Sequence, residues 1–510
     1  QPLLEKALAI DLKRHGEDHP GVARAYLNLA ANLQRLRKYE EAQPLIEKGL
    51  ALRQKHLGEE HPSTIDAYAR LAKNLWLLHR FAESQTLREK VLAFDRKHLG
   101  DKHPDTNNAR NSLALVLEKQ GKYAEAQRLY EEALSNLEAT LGNEHDSVLT
   151  FSDNLGFNLW AQGKYAEAAV AWEKAARVFE LVRSRVAFGG FDRAFFMQKS
   201  GAAASLAAVL ARLDRPEEAW RRLEERLARG LLDELAARDA RKLTDADRRQ
   251  EQKLLTDLNR VEDLLRTNVE PGQDSATRED ELRDLRQKQL DLKAELSAFQ
   301  KHLVETYGVA EGRTYDIAEI QAQIPAEAAL LAWLDMEGEL HAVDPGGEHW
   351  AIVLRSKGKP ACVKLPGSGP GGMWTDQDDT LGSRLAALLS GRSPTTESAR
   401  GAIVDELATQ RLTPIEHLLT EQDGLPAVRL LIVLPSPALR GVPVALLTER
   451  YTVSYAPSGT VFAWLCEKKR KAQQTPKGTG LLAVGDPVFS PKSDAPAQPD
   501  APVPPSLQAR

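Results

Sequence analysis

The sequence predicts a mainly α-helical protein: a solenoid of helical hairpins, then a helical hairpin or coiled-coil connector, then an incomplete α/β unit. Three observations carry this. A 42-residue self-similarity runs from the start of the chain. Heptad-spaced leucines fill the stretch 231–307. From about Thr314 the hydrophobic period shortens from 3.6 to 2.

The 510 residues are too many for one hydrophobic core. Hydrophobic content of 42% is that of an ordinary globular protein. The net charge of −5 argues against general nucleic-acid or membrane-surface binding, which calls for a basic protein. The two cysteines, Cys362 and Cys466, lie far apart and lack metal-ligand spacing. They fit a reducing, cytoplasmic compartment and exclude a disulfide scaffold. No metal or cofactor is expected. No apolar run reaches the ~18 residues of a membrane span; residues 201–213 come nearest.

Four columns fix the repeat. His19, His61, His103 and His145 stand 42 apart, as do Tyr39, Phe81, Tyr123 and Tyr165. Leu29, Leu71, Leu113 and Leu155 keep the same step, and so do Leu33, Leu75, Leu117 and Leu159. Each unit reads as helix A, a short turn near Arg37-Lys38, and helix B, ended by a Gly-x-x-His-Pro segment. A single hairpin cannot bury its apolar face, so the units must stack. Residues 1–20 match 43–62, which starts the chain at a helix B and predicts a longer parent. A diverged fifth hairpin is expected over about 200–230, after an insertion near Gly189-Gly190. The solenoid is thus placed at 1–230. The histidine column could suggest metal, but copies one repeat apart share no ion. A turn residue that caps or packs is the expectation.

The 42-residue unit with its Leu-Gly-x-x-His-Pro turn resembles the kinesin-light-chain type of tetratricopeptide (TPR) repeat. Helix A then lines a concave groove. Asn28 and Asn32 share one face of it at i, i+4, as do Arg70 and Asn74, and Asn154 and Asn158. Ser112 and Val116 break the column in the third unit. Amides so placed can pair with both the N–H and the C=O of an extended peptide. The resemblance points the same way, to a protein or peptide ligand. The alternative is that these amides bridge neighbouring helices.

Residues 231–307 carry Leu254, Leu258, Val261 and Leu265, then a breaker at 268–272. Leu282, Leu285, Gln289, Leu292, Leu296, Phe299 and Leu303 follow. This is an antiparallel hairpin with one polar seam position, Gln289. The same seam could pair between chains, so self-association stays an alternative.

Beyond Thr314, strands are expected at 328–334, 339–343, 350–355, 361–365, 429–434, 451–455 and 481–484. Helices are expected at about 380–390, 397–410, 413–420 and 458–469. The leucine-rich run 429–434 suits a mainly parallel sheet. Three segments, Leu430–Leu447, Arg450–Ser458 and Leu481–Phe489, are similar to the CHAT domain, a caspase-like and separase-like module. The resemblance places this unit at 314–489 and implies a cysteine peptidase as parent. Its histidine and cysteine segments have no counterpart here, so no catalytic residue is carried over and this chain is expected to be inactive. The alternative is a scaffold whose α/β unit is a second interaction module. The Pro- and Ala-rich tail 490–510 is expected to be disordered.

Overall fold

The computed structural model describes residues 1–143, 145–186, 201–238, 244–267, part of 284–302, 314–390 and 397–474. The chain is mainly helical, as the repeat register requires, with a smaller mixed sheet towards its C-terminal side.

The first nine helices alternate between the two halves of the repeat. They are α1 (Pro2–His15), α2 (Pro20–Arg35), α3 (Tyr39–Leu57), α4 (Pro62–Leu77), α5 (Phe81–Leu99), α6 (Pro104–Lys119), α7 (Tyr123–Leu141), α8 (Asp146–Ala161) and α9 (Tyr165–Val186). Each packs against the next, so the apolar columns fill a series of cores between successive hairpins. Leu33, Leu75, Leu117 and Leu159 are all buried in them.

The histidine column is a set of helix N-caps. His19, His61, His103 and His145 have extended backbones, and each Nδ1 accepts the backbone N–H two residues on, at 3.1–3.2 Å. This satisfies one orphan donor at the start of every helix A. Gly16, Gly58, Gly100 and Gly142 end the helices before them at φ 79–87° and ψ 163–170°. That region is open essentially to glycine alone.

The fifth hairpin is α10 (Gly201–Arg212) and α11 (Pro216–Arg238). The expected insertion near Gly189-Gly190 lies outside the described residues. Helix α10 is the apolar run that came nearest to a membrane span. It is buried all round, from Ser205 to Ala211, as a helix apolar on every side must be. Among the described residues no helix is long and apolar enough to cross a membrane.

The connector begins with α12 (Asp245–Thr267). Leu254, Leu255 and Leu258 pack against Leu296 and Phe299, so the seam is filled from within the chain. Gln289 is half-buried. The breaker at 268–272 lies outside the described residues.

The α/β part holds a short helix α13 (Ile317–Gln321) and strands β1 (Ala328–Met336), β2 (Glu348–Arg355), β3 (Ala361–Lys364), β4 (Leu430–Val433) and β5 (Thr452–Tyr455). Helices α14 (Asp376–Leu389), α15 (Glu397–Arg411) and α16 (Gly459–Gln474) accompany them. Strand order is β3-β2-β1-β4-β5. β1 pairs with β4 and β4 with β5 in parallel; β1–β2 and β2–β3 are antiparallel. The sheet is therefore mixed, which corrects the mainly parallel expectation. An apolar run reports burial on both faces, not strand direction. Residues 339–343 form no strand, and 481–484 and the tail lie outside the described residues.

Strand β1 explains the layering. Leu330, Ala332, Leu334 and Met336 join the core that holds Leu206, Leu210 and Trp220 of the last solenoid hairpin. Ala329, Leu331 and Trp333 join the core under α14 and α15. One sheet face thus rests on the solenoid and the other on its own helices.

Candidate functional site

The helix A faces scatter their polar residues more widely than the spacing suggests. Asn28 is exposed. Asn32 is half-buried, and its Oδ1 is buried without a partner. Arg70 is half-buried, and its Nε donates to Asp66 at 2.9 Å. Asn154 Nδ2 donates to Asn111 Oδ1 at 2.8 Å, one repeat back.

Asn74 and Asn158 are fully buried. Asn74 Nδ2 donates to the Tyr39 carbonyl at 3.0 Å, and its Oδ1 accepts Gln34 Nε2 at 2.9 Å. Asn158 Nδ2 donates to Glu118 Oε1 at 2.9 Å, and its Oδ1 accepts Gln162 Nε2 at 2.7 Å. These two amides bridge consecutive hairpins and lie on the packing face. The i, i+4 step pairs Arg70 with Asn74 and Asn154 with Asn158, but only the second of each pair is fully buried.

Two carboxyls on the same helices are shifted. Burial raises Glu118 to about 7, although Asn158 and Tyr130 donate to it. Burial raises Asp153 to about 6 against the Trp172 indole, which donates at 3.0 Å.

The turn edge of the solenoid carries a contact that the spacing did not reveal. The β1–β2 loop, 337–347, lies across three successive turns as a strap. Lys119 Nζ donates to both oxygens of Glu339 at 2.7 Å. Val343 N–H donates to the Ala161 carbonyl at 2.8 Å. Arg212 pairs with Asp344 at 2.7 Å and with the buried Glu348 at 2.5 Å. The turns under the strap hold Gly121 and Gly163, whose added Cβ would meet His341 at 3.1 Å and Val343 at 3.6 Å. The third covered turn holds Asp214 at φ 55°, and the uncovered turns hold Arg37 and His79 at φ 59° and 58°. A second tie is Glu224 of α11, which accepts Gly459 N–H at 2.6 Å and Thr460 N–H at 2.9 Å and so caps α16.

A polar cluster stands at the carboxyl end of β1. Asp335 Oδ1 receives Arg411 Nη1 at 2.6 Å and faces His349 Nδ1 at 2.9 Å. His349 stacks on Trp374 at 3.8 Å. Burial alone would raise the Asp335 carboxyl; Arg411 and His349 outweigh it and hold it below its usual range. Neither thiol lies in such a setting. Cys362 is pushed up to about 12 by burial and by Asp214, and burial also raises Cys466. Among the described residues no cluster of His, Cys, Asp and Glu is suited to a metal ion.

The repeat geometry defines a helical-hairpin solenoid of the protein-interaction class. The tetratricopeptide repeat model matches residues 1–55, 23–97, 63–139 and 105–180, so this segment consists of tetratricopeptide repeats. No curated protein matches the chain. Among solved structures, a candidate kinesin light chain of Podosopora anserina with nearly identical TPR-like repeats is 26% identical, covering 40% of this chain and 93% of its own, at TM-score 0.34. BtubC (BKLC) from P. vanneervenii is 20% identical over 44% of this chain and 85% of its own, at TM-score 0.36. YrrB, a TPR protein with an unusual peptide-binding site, is 18% identical over 43% of this chain and 91% of its own, at TM-score 0.28.

Proposed function

We propose that the chain is the protein-binding and regulatory region of a CHAT-type, caspase-like cysteine peptidase, and that its helix A faces hold an extended segment of a partner protein. The observation that carries the binding reading is Asn32, whose Oδ1 is a buried acceptor without a partner. A ligand N–H would satisfy it, and an orphaned buried acceptor costs about 1–3 kcal/mol. Asn28, Arg70 and Asn154 occupy the other helix A column and complete the candidate surface. Asn74 and Asn158 support it from behind by fixing the hairpins. The ligand is a protein or peptide, and the compartment is the cytoplasm.

The peptidase part of the reading rests on the resemblance of the three CHAT-like segments. A thiolate nucleophile needs a lowered pKa and a base within reach. Both cysteines are shifted the other way, which favours a binding role for the residues described. In the second reading the α/β part is itself an interaction module.

The test uses a fluorescent peptide selected from a random library against the whole chain. Asn28→Ala with Arg70→Ala should weaken its binding by at least about tenfold, with the unfolding midpoint unchanged. Unaltered affinity in that double variant would exclude the helix A surface. Cleavage of the library by this chain would overturn the assignment of a non-catalytic region.

A further inference from the structure

A cavity of about 610 Å³ opens at the carboxyl end of β1 and β4. In α/β sheets this is where ligands are received. Its walls come from four places: the end of β1, the start of β2, helices α14 and α15, and the segment after β4. Ala386, Ala387, Pro437 and Ala438 give it an apolar side. Gly382 lets α14 approach closely, since a Cβ there would meet the Ala438 carbonyl.

Its charges are mixed and incompletely paired. Arg411 is almost fully buried, donates Nη1 to Asp335, and leaves Nε buried without a partner. A buried guanidinium donor with no acceptor is costly, and Arg411 also lines the cavity. At the mouth stand Glu337 and Arg440, both exposed. They line one cavity, yet neither makes an ion pair with the other or with any described residue. Asp379 completes the rim and accepts the Trp374 indole N–H at 2.6 Å.

A ligand of one sign is disfavoured here. An anion would face Asp335, Glu337 and Asp379. A cation would face Arg411 and Arg440. A ligand carrying both signs meets each with its complement. We propose that this cavity binds a short zwitterionic peptide, of di- or tripeptide size. Its carboxylate is received by the Arg411 guanidinium and Arg440, and its ammonium by Glu337 and Asp379. Its backbone and small side chains lie along the alanine wall of α14. The volume fits this size within the ordinary range of ligand pockets, roughly 300–1,000 Å³. The cavity is separate from the helix A faces, and the proposal does not depend on what those bind.

The experiment is calorimetric titration of the whole chain with dialanine, N-acetyl-dialanine and dialanine amide, with inorganic phosphate as a fourth probe. Dialanine should bind saturably. Each capped form, having lost one charge, should bind about tenfold or more weakly, and phosphate should not compete. Arg440→Ala and Glu337→Gln should each weaken dialanine about fivefold without moving the unfolding midpoint of the free protein, since both side chains are exposed. Asn28→Ala with Arg70→Ala should leave dialanine binding unchanged, which separates this cavity from the solenoid faces. Absence of saturable binding, equal binding of a capped form, competition by phosphate, or loss of binding in the solenoid variant would each overturn the proposal.

Discussion

Glu118 shows how one half-buried side chain links the solenoid to pH. Its carboxyl takes hydrogen bonds from Asn158 and Tyr130, yet burial dominates and raises it to about 7 from the usual 4.5. The proton is therefore held more tightly in the folded state than in the unfolded one. The stability this supplies is complete below about pH 4.5. It declines as pH rises and is lost above about 7, in all roughly 3 kcal/mol. Glu118→Gln keeps a neutral amide at the site and removes the titration. The variant should match the parent near pH 4.5 and exceed it by roughly 2–3 kcal/mol at pH 8, read from urea unfolding across that range. Other carboxylates contribute equally to both proteins and cancel in the difference. A difference that stays flat between pH 4.5 and 7 would show that Glu118 does not titrate there.

At the scale of elements, the strap decides how the sheet sits on the repeats. Gly121 takes φ +74°, and an added Cβ would reach 3.1 Å from His341. Gly121→Ala should therefore loosen the strap as well as strain the turn, costing about 1–2 kcal/mol. Arg37→Ala is the control, because Arg37 has φ 59° and no strap residue overlies it. Hydrogen exchange of the Val343 amide should quicken in the first variant and not in the second. Equal exchange in both would remove the steric role assigned to Gly121. The strap also marks the limit of what the sequence discloses. The 42-residue step made the hairpins legible, because every repeat buries the same columns. Glu339–Val343 alternates as a strand would, but its neighbours are turns of distant hairpins, and no periodicity announces such a contact. The spacing placed the helix A amides but not their surroundings. Asn28 and Asn32 present polar atoms without a protein partner, whereas Asn74 and Asn158 are covered by the adjacent repeat. A helix face read from spacing does not say how far the next hairpin overlaps it.

On the scale of the whole molecule, the solenoid and the sheet share one core. Helix α10 has Leu206, Ala207, Val209 and Leu210 almost without exposure, and Leu330, Leu334, Ile352 and Leu354 belong to the same cluster. Alanines at 202, 203, 204, 207, 208 and 211 keep that helix narrow enough to sit between the repeats and the strands. Charged ties reinforce the joint at its rim, where Arg212 meets Glu348 and Glu224 caps α16. Sheet and last hairpin should then lose protection together. Leu206→Ala removes a fully buried side chain from the shared layer and should cost about 2–5 kcal/mol. Hydrogen exchange by mass spectrometry reads the consequence segment by segment. Peptides from 202–211 and from 328–336 should become less protected by similar amounts, while those from 22–33 keep their parental rates, because that far repeat has its own cluster. A loss confined to 202–211 would mean that the sheet stands without the solenoid. Equal loss across all three segments would mean that the entire chain opens as one unit, and the shared layer would then have no special place in its stability.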